Sequence, residues 1–258
     1  MPRAFAIAAH PDDIEFVMSG TLIHLRKAGY EIHYMNVANG CCGSTVTDAA
    51  TTARIRRDEA QSACRTIGAV FHESLVNDLE IFYDRPTLAK LAAIVRQVAP
   101  EIVLTHAEAD YMEDHTNACR LAVTAAFSRG MPNFPVDPPT PIVSQPVTIY
   151  HAQPHGNRDS LWRPVRPGLF VDVTNVMDQK RAMLAEHKSQ KDWLDTSQGL
   201  DSYTEAMREL LGEIGAMSGR FQYAEGWRRH SHLGFCGPND DPLSAALGPL
   251  VHPVDPLE

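Results

Sequence analysis

From the first residues onward, apolar positions fall into short runs separated by amphipathic stretches. Residues 3–9 (RAFAIAA) form an apolar run that stops at His10-Pro11-Asp12-Asp13, and apolar positions then recur with helical period from Ile14 to Ala28. This spacing predicts a strand, a turn and a helix. Gly29 closes that helix, and residues 31–39 (EIHYMNVAN) alternate as a second strand before the loop Gly40-Cys41-Cys42-Gly43-Ser44. The series continues with a helix over 51–67 closed by Gly68, a strand over 69–75, a helix over 86–98 and an apolar strand over 101–105. Pro86 suits the first turn of its helix. A further helix is expected over about 115–129.

Strands alternating with helices of this length argue for an α/β fold, a mainly parallel sheet with helices on both faces. In such sheets ligands sit beyond the carboxyl ends of the strands. His10, His106 and the Asn39 to Ser44 loop all fall there. The proline-rich stretch from Gly130 to Pro146 reads as a surface excursion, after which residues 146–152 and 168–174 are strand-like and 175–194 and 202–217 are helical by period. The last residues, from Gly237, read as surface loop. The expectation is one domain over residues 1–258, with its core in about 3–235 and a surface tail over 237–258.

Composition narrows the partners. A net charge of -9 and the lack of any Lys/Arg run leave no basic stripe to meet a phosphate backbone, so nucleic acid is not expected. No apolar run approaches the roughly 20 residues that cross a bilayer, and the first apolar stretch is too short for a signal segment. A cytoplasmic protein is the expectation. The cysteines, Cys41, Cys42, Cys64, Cys119 and Cys236, are odd in number and lack CxxC spacing, which reads as free thiols.

The densest chemistry lies in two stretches. At the first, His10 at a strand end and Asp13 on the next helix's first turn can address one ion, and zinc accepts both imidazole nitrogen and carboxylate oxygen. Asp12, rotated away around the helix, is then placed to act as a general base on water. The alternative is that Asp12 and Asp13 simply cap a helix N-terminus. The second stretch, from His106 through Glu108, Asp110, Tyr111, Met112, Glu113 and Asp114 to His115, follows a buried-looking strand. His115 could complete a His, Asp, His site with Asp114 orienting an imidazole, or Asp114 could be an N-cap beside an exposed His115.

Ala9-His10-Pro11-Asp12-Asp13 matches the AHPDD motif of the PIG-L or LmbE-like N-acetylglucosaminyl deacetylases, and the chain resembles that family. The family's second motif, His-Pro-Asp-His, aligns with Met112-Glu113-Asp114-His115. The resemblance extends through Arg56-Arg57-Asp58-Glu59-Ala60, His187-Lys188-Ser189-Gln190 and Tyr223-Ala224-Glu225-Gly226, covering most of residues 3–235. It implies a Rossmann-like fold, zinc (Zn2+) held by His10, Asp13 and His115, Asp12 as the base, and Arg56 in substrate binding. It further implies a small N-acylated amino-sugar substrate and a homo-oligomer.

One position departs from the pattern. The first histidine of the second motif, which in relatives stabilises the oxyanion or protonates the amine, is Met112 here, and a thioether does neither. Tyr111, His151, His155, His230 and His232 are candidates to replace it. His230 and His232 would project to one side of an extended segment. The expected function is therefore zinc-dependent removal of an N-acyl group from a sugar-like substrate. The alternative is a catalytically decayed zinc- and carbohydrate-binding protein. A nucleotide-binding doubly wound domain is ranked last, because no GxGxxG or P-loop follows the first strand.

Overall fold

The computed structural model describes residues 1–191 and 202–254. Its strands are β1 (Arg3–Ala8), β2 (Glu31–Asn36), β3 (Val70–His72), β4 (Ile102–Thr105), β5 (Thr148–Ala152), β6 (Leu169–Asp172), β7 (Ala224–Arg229) and β8 (Val251–Pro253). They form one sheet in the order β3-β2-β1-β4-β5-β7-β6-β8. Strands β1 to β5 pair in parallel, whereas β7 runs antiparallel to β5 and β6, and β8 antiparallel to β6. The Rossmann-like α/β expectation holds. Strand order reverses between β2-β1 and β1-β4, which opens a crevice at their carboxyl ends.

Alternation along β1 supplies both faces of the sheet. Ala4, Ala6 and Ala8 pack into one core with Leu22, Ile32 and Leu211, while Phe5 and Ile7 pack into the other with Leu91, Leu121 and Ala125. Helices α4 (Arg85–Val98) and α5 (Glu113–Phe127) cover this second face. The first face carries α2 (Ser19–Lys27), α3 (Ala49–Thr66), α6 (Met177–Leu184) and α7 (Ser202–Ser218). Full burial of each Leu or Ile side chain contributes about 1.5–3 kcal/mol.

The helix expected from Ile14 to Ala28 is broken at Met18, giving α1 (Asp13–Val17) and α2. The break is filled by buried charge. Glu225 accepts from the Gly20 and Thr21 amides at 2.8 and 2.7 Å, capping α2, and Lys180 Nζ donates to the Glu15 carbonyl at 2.6 Å and to Glu225 at 2.7 Å. Helix ends leave such groups without intrahelical partners, so the ion pair satisfies what the break exposes. Gly20 has no room for a side chain, since a Cβ there would stand 2.4 Å from Val173.

Other expectations are corrected. The helix expected over 175–194 is interrupted after Leu184, helical backbone resumes over 188–191, and residues 192–194 lie outside the described residues. The surface tail expected over 237–258 instead contains helix α8 (Pro242–Leu247) and β8, with Leu243, Leu247 and Val251 buried. Strand β7, rich in charged residues, was not anticipated by alternation, because Glu225 in it is buried by its capping role. No helix among the described residues is long and apolar enough to cross a membrane.

Replacing Glu225 by Ala leaves Lys180 unpaired in the core and uncaps α2. Urea unfolding is expected to show a loss of about 3–5 kcal/mol, the scale for stripping one partner from a buried pair. A loss no larger than about 1 kcal/mol, typical of an exposed pair, would contradict this account of the helix break.

Candidate active site

The carboxyl ends of β1, β3, β4 and β5 converge on a cleft of about 440 Å³. His10, Asp12 and Asp13 enter it from the turn after β1, Asp78 from beyond β3, His106 and the start of α5 from β4, and Gln153 and His155 from β5. His10, Asp13 and His115 stand with ligand atoms within 4.8 Å of one another, so the structure brings together the set expected from sequence.

Each imidazole is fixed by its far nitrogen. His10 Nε2 lies 2.9 Å from Asp78 and 3.1 Å from Asp114, which leaves Nδ1 facing Asp13 at 3.5 Å. His115 Nδ1 lies 3.0 Å from Asp110, which leaves Nε2 facing Asp13 Oδ1 at 3.3 Å. Carboxylates bonded to the outer nitrogen set the tautomer and aim the inner lone pair, as they do for metal-binding histidines. His106 differs. Its Nε2 accepts the Ala9 amide at 2.9 Å, so that lone pair is already engaged, and its ring stacks on His115 at 4.2 Å.

The electrostatics are those of a cation site. Burial disfavours charge on His115, but Asp13 and Asp110 outweigh it and raise its pKa to about 10. Burial likewise opposes the charged form of His10, and Asp114, Asp13 and Asp78 overcome it. Burial would raise Asp13, yet His115, His106 and His10 hold it well below the usual carboxylate range. A buried group of aspartates around two imidazoles draws in protons where a divalent cation would satisfy them instead. The nitrogen and oxygen donors of His10, Asp13 and His115 match zinc, with three protein ligands leaving a position for reactants.

Asp12 stands at the N-cap position of α1, but its side chain caps nothing. It adopts a left-handed conformation at φ 106° and makes no side-chain capping bond, a backbone state that costs about 1–3 kcal/mol away from glycine. Its carboxylate instead accepts the Tyr203 hydroxyl at 2.7 Å and stands 3.4 Å from Arg56. Burial raises its pKa, against the pull of Arg56 and Tyr203.

Arg56, expected to face either substrate or solvent, is 4% exposed and lines the cleft. It donates to the carbonyls of Pro11 and Gly40, clamping the loop after β2 to the turn after β1. Gly40, at φ +70°, passes so close that a Cβ would stand 2.5 Å from the guanidinium. Three other residues of the quoted motifs, Glu59, Ser189 and Gln190, brace this clamp. Glu59 accepts from the Ser189 amide and hydroxyl at 2.8 and 2.7 Å, and Gln190 donates to the Gly43 carbonyl at 2.9 Å.

The structure places the candidate replacements for the missing histidine differently from one another. His230 and His232 do not line the cleft; His230 pairs with His151 at 2.9 Å on the α5 face of the sheet. Tyr111 and His155 do line it, as does Met112. Sequence reasoning missed Asp78 and Tyr203, which lie in a loop and a late helix with no motif of their own, and left Asp110 without a role. The cysteines are free, as expected.

Residues 5–127 match the PIG-L family, GlcNAc-PI de-N-acetylase. The chain is 30% identical over 189 residues to a 4-oxalmesaconate hydratase of Pseudomonas putida, covering 70% of this chain and 71% of that protein. It is 26% identical over 233 residues to a diacetylchitobiose deacetylase of Thermococcus kodakarensis, covering 88% and 82%. The solved N,N'-diacetylchitobiose deacetylase of Pyrococcus horikoshii superposes with a TM-score of 0.75 at 25% identity, covering 90% of this chain and 84% of that one. The fold is shared with the diacetylchitobiose deacetylase. This chain belongs to the PIG-L family.

Replacing Arg56 by Ala is expected to release the clamped loop, so that amide hydrogen exchange over residues 40–43 speeds by about tenfold or more. Unchanged exchange there would mean that the loop is held by other contacts.

Proposed function

We propose that this protein is a zinc-dependent amide hydrolase that removes an N-acyl group, acetyl in the first instance, from an amino-sugar substrate. The observation that carries this reading is Asp12, held in a costly backbone conformation with its carboxylate at the cleft rather than on the helix end. His10, Asp13 and His115 would hold the metal. When bound, zinc supplies a Lewis acid that acidifies water and polarises an acyl oxygen. Asp78, Asp114 and Asp110 keep the two imidazoles turned inward.

Asp12 takes a proton from the attacking water as the water oxygen bonds to the acyl carbon and the carbonyl electron pair moves onto oxygen. Tyr203 and Arg56 hold the Asp12 carboxylate in place for that transfer and for the return of the proton to the amine nitrogen. The carbon–nitrogen bond then breaks with its electron pair on nitrogen. Arg56 is proposed to reach substrate only through its place in the cleft wall, since its two terminal nitrogens donate to carbonyls and its Nε is buried.

A second reading is hydration of an unsaturated acid, favoured by the 30% identity to a hydratase and by Met112 in place of a proton donor. The cleft argues against it. Asp12, Asp13 and Asp78 line the cleft, and Arg56 is committed to carbonyls and to Asp12, which suits a neutral sugar better than a polyanion.

The test is acetate release from a panel of N-acetylated sugars, measured on the purified, chelator-stripped and zinc-restored protein. Release that a chelator abolishes and zinc restores is expected, and His115→Ala should lose both metal and activity. Turnover of every sugar absent, with water added to an unsaturated acid instead, would overturn the hydrolase reading. Full metal content in His115→Ala would overturn the ligand set.

A further inference from the structure

Amide hydrolysis develops negative charge on the acyl oxygen, and an enzyme normally aims a hydrogen-bond donor at it. With a thioether at Met112, that donor has to come from another residue of the cleft. Most donors in the cleft wall are committed elsewhere. The Tyr203 hydroxyl donates to Asp12, Arg56 to two carbonyls, Gln190 to Gly43 and Gln153 to Val165. Among the described residues lining the cleft, Arg56 Nε, His155 and Tyr111 carry side-chain donors that no hydrogen bond engages, and Arg56 Nε is buried out of reach of the open cleft.

We infer that His155 is the oxyanion donor of this site, with Tyr111 bracing its ring against the His115 side of the cleft. This rests on the hydrolase reading above and names a catalytic residue for it. His155 sits directly beyond β5 in a single 3-10 turn, His155–Asn157. Gly156 turns the chain at φ 75°, and Asn157 anchors the turn to α7 through the Leu210 carbonyl at 3.3 Å and Glu213 at 3.0 Å. The side chain is therefore presented by a fixed backbone, which is what an oxyanion donor requires.

The ring packs edge-on against Phe16, one helical turn beyond Asp13, at 5.4 Å between centroids. On its other side lies Tyr111 at 6.0 Å, and Tyr111 itself stands edge-on to His115 at 5.5 Å. His155 thus shares one rim with the proposed metal ligands while touching none of their hydrogen bonds. Desolvation lowers its pKa below the ordinary value, so near neutral pH the ring is uncharged and offers one N–H. A neutral imidazole in this role strengthens its hydrogen bond as charge grows on oxygen and transfers no proton.

The test is steady-state acetate release with zinc content measured on the same samples of wild type, His155→Ala, His155→Gln and Tyr111→Phe. Expected is a fall in kcat of about two to three orders of magnitude in His155→Ala, with KM and zinc little changed. His155→Gln, whose amide supplies an N–H, should recover part of the loss, which a purely structural role would not predict. Tyr111→Phe keeps the bracing ring and should lose less than His155→Ala. An active wild type with unchanged kcat in His155→Ala, or with the larger loss in Tyr111→Phe, overturns this inference and leaves the hydrolase reading standing. A wild type inert toward every N-acetylated sugar overturns that reading and this one with it.

Discussion

The carboxylate of Asp13 meets three imidazoles at the end of β1, with His115 and His106 each 3.3 Å away and His10 at 3.5 Å. Gathering these groups out of water is costly unless each is paired, and the surrounding structure supplies the partners. Asp78, Asp114 and Asp110 bond the outer nitrogens, and the Ala9 amide occupies His106. The sheet places them within reach because β1 and β4 are neighbours whose carboxyl ends open at the same crevice. The strained backbone at Asp12 follows from the same turn: His10 and Asp13 face inward, and Asp12 is left to face the cleft.

A second buried system supports the first. Lys180 and Glu225 fill the break between α1 and α2, and Glu15, on the same short helix as Asp13, bonds Tyr34 at 3.1 Å and stands 3.3 Å from His187. These contacts come from β2, β7 and residues far along the chain, so the orientation of α1 is set by the whole first face of the sheet. Substitutions there are expected to act on the cleft through the tilt of that one helix rather than by touching reactants.

Much of this was legible in the sequence, and for physical reasons. The parallel half of the sheet announced itself because buried strands are apolar runs and the helices between them carry a regular period. His10, Asp13 and His115 could be joined because both stretches fall just beyond strands, where an α/β sheet collects its ligands. Of the antiparallel half, β6 was legible and β7 was hidden: β7 reads Ala224-Glu225-Gly226-Trp227-Arg228-Arg229, and its burial depends on one carboxylate capping a distant helix. His230 and His232 looked like donors because an extended segment puts them on one side. Register decides otherwise, since the His230 amide bonds the Ile149 carbonyl, well back from the carboxyl end of β5. Asp78 and Tyr203 gave no signal, because each owes its place to loop geometry or to a late helix, and His155 stood out from the other four candidates only once the turn after β5 was placed at the cleft.

The central claim is that Asp12 is held at the cleft to move a proton while its neighbours hold the metal. Its most direct test is Asp12→Asn, an isosteric change that keeps an acceptor for Tyr203 but removes the basic carboxylate. Zinc content near that of the wild type, with kcat for acetate release lower by about two orders of magnitude or more, is the expected result. Near-normal turnover, or a loss of activity that merely follows lost zinc, would contradict the account.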